Sequence, residues 1–204
     1  MLTILADSTC DLPAEQLRLS GVQTVPIPLW HLDQEFRETE ITAAQLLERV
    51  KRSGQAALTR PPSADTLLHA YRQALVNSER VLHLTTSRQL TGTYAAAQQV
   101  AAQLPQVTVV DSMQASYALG IQALRAARWA DQGLSAAEIV HRLETLQRQI
   151  LFIYAVEKLD FLRINGRIGS AAAFFGNLMG VQPILAVQGA WSRQWAAPVG
   201  KPPP

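Results

Sequence analysis

Short apolar runs alternate with longer segments in which apolar residues recur every three or four positions. The runs typical of buried strands lie at residues 2–6, 81–85, 107–110 and 151–156. Each of the first three ends in a polar loop and passes into a segment with helical spacing. This order is typical of a parallel sheet in an α/β protein. We therefore predict an α/β fold whose N-terminal domain is a parallel sheet with helices on both faces.

Capping signals predict where several helices begin. Thr42 and Ser135 are each followed three residues later by Gln or Glu, which is the pattern of a capping box. Ser63 follows two prolines and predicts the start of another helix. The segment 22–27 contains a proline and is predicted to be an edge strand. Residues 30–40 are predicted to form a loop.

The pattern changes near residue 150. Three strands are predicted beyond it, at residues 151–156, 183–187 and 190–195. Between them, residues 169–180 are apolar nearly all round and are predicted to be buried or to line an apolar cavity. We predict a first domain over residues 1–150 and a smaller α/β module over residues 151–204.

Composition narrows the class of protein. The chain has 204 residues, 48% hydrophobic and 17% charged, which is typical of a globular protein. Its formal net charge is +2 and its basic residues are scattered, so no nucleic-acid partner is expected. No uninterrupted apolar stretch is long enough to span a bilayer, and the first residues lack the pattern of a signal peptide, so none is expected. The single cysteine, Cys10, is expected to be a buried filler in a cytoplasmic protein.

Hydroxyl side chains are concentrated in two loops that precede predicted helices. Ser87 and Thr91 follow the strand at 81–85, and Thr59 and Ser63 flank a pair of prolines. Free N–H groups and the helix dipole favour a carboxylate or phosphate at such places. Taken singly, each hydroxyl has a local capping role as its ordinary explanation. Together, at the carboxyl edge of one sheet, they indicate an anion site.

Arg167 lies just before the apolar segment and has two interpretations. It is either a surface residue with a buried stem or a fork that holds a carboxylate over an apolar cavity. The four histidines show no metal-ligand spacing. There is no glycine-rich phosphate loop, Walker lysine or nucleophile elbow. We therefore predict no metal, no cofactor and no catalytic residue.

Four ordered segments resemble the DegV family of bacterial fatty-acid-binding proteins, which includes the acyl-binding subunit of fatty-acid kinase. The segments are residues 4–12, 87–94, 110–112 and 159–168. The resemblance implies a two-domain α/β protein that holds one long-chain fatty acid. It places the carboxylate at the domain junction and the tail in the second domain. It also implies a partner kinase subunit that phosphorylates the carboxylate, with no catalysis by the chain itself.

The same resemblance implies a set of headgroup contacts. Thr59 and Ser63 match the threonine and the closing serine of the family's T-S-x-P-S loop. In its S-S-x-L-S-G-T loop, Ser87 matches the first serine and Thr91 replaces the third. Arg88 replaces the second serine, and either supplies charge in place of the hydroxyl or points to solvent. The residues expected to contact the ligand are Thr59, Ser63, Ser87, Arg88, Thr91 and Arg167.

The C-terminal end departs from the family pattern. Family members continue well past the strand that matches residues 183–187, so the acyl-tail domain is expected to be shortened here. One alternative is an enzyme that acts on a small anionic metabolite at the same sheet edge. It would use Asp7, Asp111 or Cys10 as base or nucleophile. The other is a shortened relative that binds no lipid and serves as an interaction module.

Overall fold

The computed structural model of the chain describes residues 1–37, 40–156, 160–167, 184–188 and 191–195. The strands in this part are β1 (Leu2–Asp7), β2 (Gln23–Val25), β3 (Leu29–His31), β4 (Gln34–Phe36), β5 (Leu58–Thr59), β6 (Arg80–Thr85), β7 (Val107–Asp111), β8 (Phe152–Ala155), β9 (Ile184–Gln188) and β10 (Trp191–Trp195). The helices are α1 (Ala14–Ser20), α2 (Ala43–Ser53), α3 (Ala64–Val76), α4 (Thr93–Ala101), α5 (Ser116–Asp131), α6 (Ala136–Gln149) and α7 (Asp160–Ile164).

The main sheet has four parallel strands in the order β2-β1-β6-β7. The strands predicted at residues 2–6, 81–85 and 107–110 are therefore neighbours in this sheet. β2 lies at its edge, as predicted for the segment 22–27. Asp7 ends β1, Thr85 ends β6 and Asp111 ends β7, with Thr85 paired directly with Asp111. The loops that follow these strands leave the sheet at one edge, as predicted.

Helices cover both faces of this sheet, which confirms the predicted α/β class. Successive strand residues point to opposite faces. Ile4 and Leu84 pack with buried side chains of α5 and α6, whereas Leu5 and Val81 pack with α3 and α4. All four are almost fully buried. Each side chain of this kind stabilises the fold by about 1.5–3 kcal/mol.

The predicted helix starts are confirmed. Thr42 and Ser135 both form capping boxes, with Gln45 and Glu138 as the reciprocal partners. Hydrogen bonds from the side chain and backbone of Ser135 lower the pKa of the Glu138 carboxyl. Ser63 caps α3. These helix starts can be predicted from the sequence because capping depends on only a few neighbouring residues.

The predicted loop at residues 30–40 is wrong in its first part. β3 and β4 form an antiparallel hairpin, and β5 pairs with the other side of β3. The turn contains Leu32 at φ +55°, a left-handed conformation that glycine or asparagine usually marks in a sequence. The hairpin is held to α2 by a 2.9 Å hydrogen bond between Nε2 of His31 and Oγ of Ser53.

The C-terminal strands form a sheet of their own. β8, β9 and β10 are antiparallel in the order β10-β9-β8. β9 and β10 are the strand pair predicted at residues 183–187 and 190–195. The apolar segment at 169–180 lies outside the described residues, and the domain boundary near residue 150 stays a prediction.

α5 approaches the segment after β1 so closely that position 120 admits no side chain. A Cβ atom built on Gly120 would lie 2.6 Å from the carbonyl oxygen of Cys10 and 2.8 Å from Cδ2 of Leu12. Overpacking against backbone costs about 1–3 kcal/mol, offset in part by the roughly 1 kcal/mol gain in helix propensity. We expect Gly120→Ala to lower the free energy of unfolding, measured in urea, by roughly 1–2 kcal/mol.

Arg125→Ala is the matched control, because Arg125 is exposed on the same helix. Its unfolding free energy should stay within about 0.5 kcal/mol of the unmodified protein. Equal stability of Gly120→Ala and the unmodified protein would contradict the close approach of α5.

Candidate functional site

The end of α7 determines where Arg167 lies. Gly166 has φ +68°, and its N–H donates to the carbonyl of Arg163 at 2.9 Å. The N–H of Arg167 donates to the carbonyl of Leu162 at 2.7 Å. These two bonds form a Schellman ending, which requires a left-handed residue that glycine adopts at little cost. The chain therefore turns at Gly166 and presents Arg167 at the end of the helix.

The Arg167 guanidinium joins two segments that are 108 positions apart in the sequence. Its Nη2 donates to Oγ1 of Thr59 at 3.0 Å. Its Nη1 donates to the main-chain oxygen and to Oδ1 of Asn165, at 2.9 and 3.0 Å. Asn165 in turn donates from Nδ2 to the carbonyl of Ala57, at 3.3 Å. Two predicted site residues, Thr59 and Arg167, are thus in contact. Asn165 is a supporting residue that the sequence interpretation missed, although the Asn-Gly pair before Arg167 marks it.

The charge of Arg167 has no carboxylate partner in the described part of the chain. The residue is half-buried, and this burial lowers the pKa of its guanidinium. Nη1 is fully used by Asn165, whereas Nε and one N–H of Nη2 have no acceptor among the described residues. A partly desolvated cation with unused donors is stabilised by an anion. The arrangement therefore favours a carboxylate or phosphate beside Arg167.

Ser87 lies in the loop after β6 and is held by its backbone. Its N–H donates to the carbonyl of Gln114 at 2.8 Å, and its carbonyl accepts from Leu90 and Thr91. The side chain is 1% exposed, and its Oγ accepts from the N–H of Gln89 at 3.3 Å. The hydroxyl proton has no acceptor among the described residues. It is therefore a donor that an anionic ligand can use.

The two hydroxyl loops lie side by side. A Cβ atom built on Gly92 would lie 3.1 Å from Cγ of Pro61, so the loop after β6 touches the loop that follows Thr59. In the described part of the chain, no hydrogen bond joins Ser87 directly to Thr59 or Arg167. The structure thus brings the loops together without direct bonds between their predicted ligand contacts.

Two other predicted site residues have local partners. Ser63 caps α3, where its Oγ accepts from the N–H of Thr66 at 3.1 Å. Oγ1 of Thr91 lies 3.1 Å from Oγ1 of Thr93 and accepts from the N–H of Thr93, the first residue of α4. Both hydroxyls therefore have a role at a helix start, as expected from their residue type.

Arg88 is tied to the next loop of the sheet. Its Nε lies 3.1 Å from Oδ2 of Asp111, and its N–H donates to Oδ1 of the same carboxylate at 3.3 Å. The guanidinium carbon also lies 5.8 Å from the centre of the Tyr94 ring. The side chain is 57% exposed and makes no described contact with Thr59 or Arg167. Arg88 thus connects two loops at the surface of the candidate site.

Two negative observations limit the chemistry of the described residues. No group of three or more His, Cys, Asp and Glu side chains is arranged there to hold a metal ion. Of the helices described, none has both the length and the apolarity to cross a membrane.

Comparison with known proteins agrees with this architecture. A DegV domain-containing protein of Deinococcus radiodurans is 39% identical over 191 residues, which cover 92% of this chain and 66% of that protein. The structure of a fatty-acid-binding DegV family protein from Thermus thermophilus matches with a TM-score of 0.89 at 33% identity. The match covers 96% of this chain and 70% of the Thermus protein.

A stearic-acid-binding protein from Eubacterium ventriosum also matches, with a TM-score of 0.85 at 25% identity. The match covers 96% of this chain and 70% of that one. By its match to the Deinococcus relative, the chain spans about two thirds of the length of that protein. A sequence model whose description is "uncharacterised protein, DegV family" matches residues 1–195. The chain belongs to the DegV family.

Proposed function

We propose that the chain binds a long-chain fatty acid and holds its carboxylate with Arg167 and Thr59, with Ser87 as a further donor. The observation that carries the proposal is the half-buried Arg167 guanidinium, which bonds Thr59 and Asn165 but no carboxylate among the described residues. A carboxylate matches the planar donor fork of arginine. The ligands named for the Thermus and Eubacterium proteins support a fatty acid. Ser63, Arg88 and Thr91 stay predicted contacts.

The acyl tail supplies most of the affinity in this proposal. Burial of each CH₂ group contributes about 0.8 kcal/mol, whereas a hydrogen bond to a charged group contributes about 1.5–3 kcal/mol. The headgroup contacts therefore orient the ligand more than they hold it. The second module offers apolar surface for the tail, because Ile153 of β8 and Phe161 and Ile164 of α7 are exposed. We assign the tail to this side of the site.

The proposal includes a partner kinase, as the resemblance to the acyl-binding subunit of fatty-acid kinase implies. The carboxylate would lie beside Arg167, which is only half-buried, so that a second protein can reach it. The test is formation of acyl phosphate from oleate and ATP. It should occur in a mixture of the chain and a fatty-acid kinase catalytic subunit, and in neither protein alone.

Among the described residues, the groups named for the enzyme alternative have structural partners or are buried. Both carboxylate oxygens of Asp7 accept hydrogen bonds, from His83 and from the N–H of Thr86. Asp111 is engaged by Arg88 and by the backbone of its own loop. Cys10 is buried, as predicted for a structural filler. We therefore propose a binding protein without catalysis of its own.

Native mass spectrometry of the purified chain tests the function as a whole. We expect one oleate or palmitate per chain, with affinity rising with acyl length because each added CH₂ is buried. Stabilisation by short phosphorylated compounds, together with repeated failure to take up any acyl chain, would contradict the proposal.

Replacement of the headgroup donors tests the site. We expect Arg167→Met to weaken oleate binding by about 10–100-fold, the equivalent of one charge-assisted hydrogen bond. Thr59→Val should weaken it by about tenfold, the lower end of the range for one hydrogen bond to a charged group. Displacement of a fluorescent fatty acid measures both. Arg72→Met removes an exposed charge on α3 and should leave the affinity unchanged. Equal affinities of Arg167→Met and Arg72→Met for oleate would contradict the assignment.

The Schellman turn that presents Arg167 gives a further prediction. Gly166→Ala places a side chain at φ +68°, which costs about 1–2 kcal/mol, although nothing lies within 4 Å of the added Cβ. Gly21 has the same φ and the same open surroundings, so Gly21→Ala is a matched control. We expect the two variants to lose similar stability in urea. Only Gly166→Ala should lose oleate affinity, and an equal affinity in both would contradict the role of the turn.

A further inference from the structure

A chain of buried polar side chains runs along the α3 face of the main sheet, from α3 across β6 to the end of β1. The hydroxyl of Tyr71 on α3 lies 2.9 Å from Nδ1 of His83 on β6. Nε2 of His83 lies 3.1 Å from Oδ1 of Asp7 at the end of β1. Oδ2 of Asp7 accepts from the N–H of Thr86 at 2.7 Å. Tyr71, His83 and Asp7 are all 0% exposed.

One assignment of the protons gives all three side chains a partner. Burial, together with the nearby charge of Asp7, raises the pKa of Tyr71, so its phenol keeps its proton. When the phenol donates that proton to Nδ1 of His83, the ring proton lies on Nε2 and is donated to Asp7. In this arrangement the O–H of Tyr71 and the ring N–H of His83 each have an acceptor, and both carboxylate oxygens of Asp7 accept a hydrogen bond.

Such a network is a poor source of stability. Removing a carboxylate and an imidazole from water costs free energy. Burying apolar residues of similar volume carries no such cost. A fully satisfied buried network instead enforces one arrangement of the elements it joins. The elements joined here are α3, β6, β1 and the loop after β6.

Ser87 is the residue on which these constraints converge. Its predecessor Thr86 is bonded to Asp7, and its successor Arg88 donates its N–H to Asp111. The N–H of Ser87 itself goes to the carbonyl of Gln114. The N–H groups of three consecutive residues therefore bond to acceptors on both sides of β6. One acceptor belongs to β1, and the other two lie at or just after the end of β7. The Asp7 bond, at 2.7 Å, is the shortest of the three and is the one the buried network supports.

The network also includes the helix that follows the second hydroxyl loop. Tyr71 lies on α3, which begins five residues after Thr59, the last residue of β5. We propose that Asp7, His83 and Tyr71 are positioning residues for ligand binding, which fix the Ser87 hydroxyl relative to the Arg167–Thr59 pair. The inference rests on the proposed function, because it assumes that Ser87 donates to a bound carboxylate.

A double-mutant cycle separates positioning from mere stability. Tyr71→Phe keeps the ring and removes the proton donated to His83, which allows the imidazole to change tautomer and release Asp7. We expect Tyr71→Phe and Ser87→Ala each to weaken oleate binding by about tenfold, the lower end of the range for one hydrogen bond to a charged group. The double variant should bind as Ser87→Ala does, within about twofold, since the misplaced hydroxyl is then absent. Oleyl alcohol, which lacks the carboxylate, should lose much less affinity in all three variants.

Leu67→Val is the matched control for lost stability. Leu67 is fully buried on α3 but belongs to the apolar cluster rather than to the network. Its variant should leave the ratio of oleate to oleyl alcohol affinity unchanged. In the ligand-free protein, hydrogen exchange of the Thr86 amide should be about tenfold faster in Tyr71→Phe than in Leu67→Val.

The outcomes distinguish the inference from the function on which it rests. Additive losses in the double variant, or an unchanged affinity ratio in Tyr71→Phe, would overturn the positioning role while oleate still binds the unmodified protein. Equal exchange rates of the Thr86 amide in Tyr71→Phe and Leu67→Val would overturn it without any ligand. Failure of the unmodified protein to bind oleate would overturn the proposed function, and the inference with it.

Discussion

A guanidinium group that is withdrawn from water needs acceptors, and Arg167 finds only part of what it needs within the described chain. Asn165 takes both protons of Nη1 and Thr59 takes one of Nη2. These bonds hold the plane of the group, while its charge lacks a carboxylate among the described residues. The candidate site is therefore held by hydrogen bonds on one side, and the proposed carboxylate would bind on the other. Preorganisation of this kind lowers the entropic cost of binding a ligand.

The parallel sheet holds the loop that carries Ser87, the further donor of the proposed site. Strand ends carry the carboxylates Asp7 and Asp111, and each accepts an N–H from the loop after β6. These bonds hold the backbone on both sides of Ser87, while a helix turn fixes Arg167. Acidic residues at strand ends, which resemble catalytic groups in the sequence, thus have an architectural role in the structure. The proposed binding function needs donors in fixed positions, and this is what the carboxylates provide.

The sequence predicted what depends on near neighbours. The capping boxes at Thr42 and Ser135 are both present because each involves residues three positions apart. The hairpin of β3 and β4 was missed because Leu32 adopts its positive φ without a glycine to signal it.

The site was predicted less completely, because its contacts are made across the fold. The bond from Arg167 to Thr59 spans 108 positions, so spacing alone left the role of Arg167 open. The ion pair between Arg88 and Asp111 likewise depends on the adjacency of β6 and β7, which the order of strands in the sequence does not determine.

The most direct test of carboxylate binding by Arg167 is the titration of [1-¹³C]oleate bound to the chain, followed by carbon NMR. Contact with Arg167 should keep the bound carboxylate ionised to a lower pH than in Arg167→Met, because a nearby cation lowers the pKa of a carboxyl. Identical titration of the carboxyl carbon in the two proteins would contradict it.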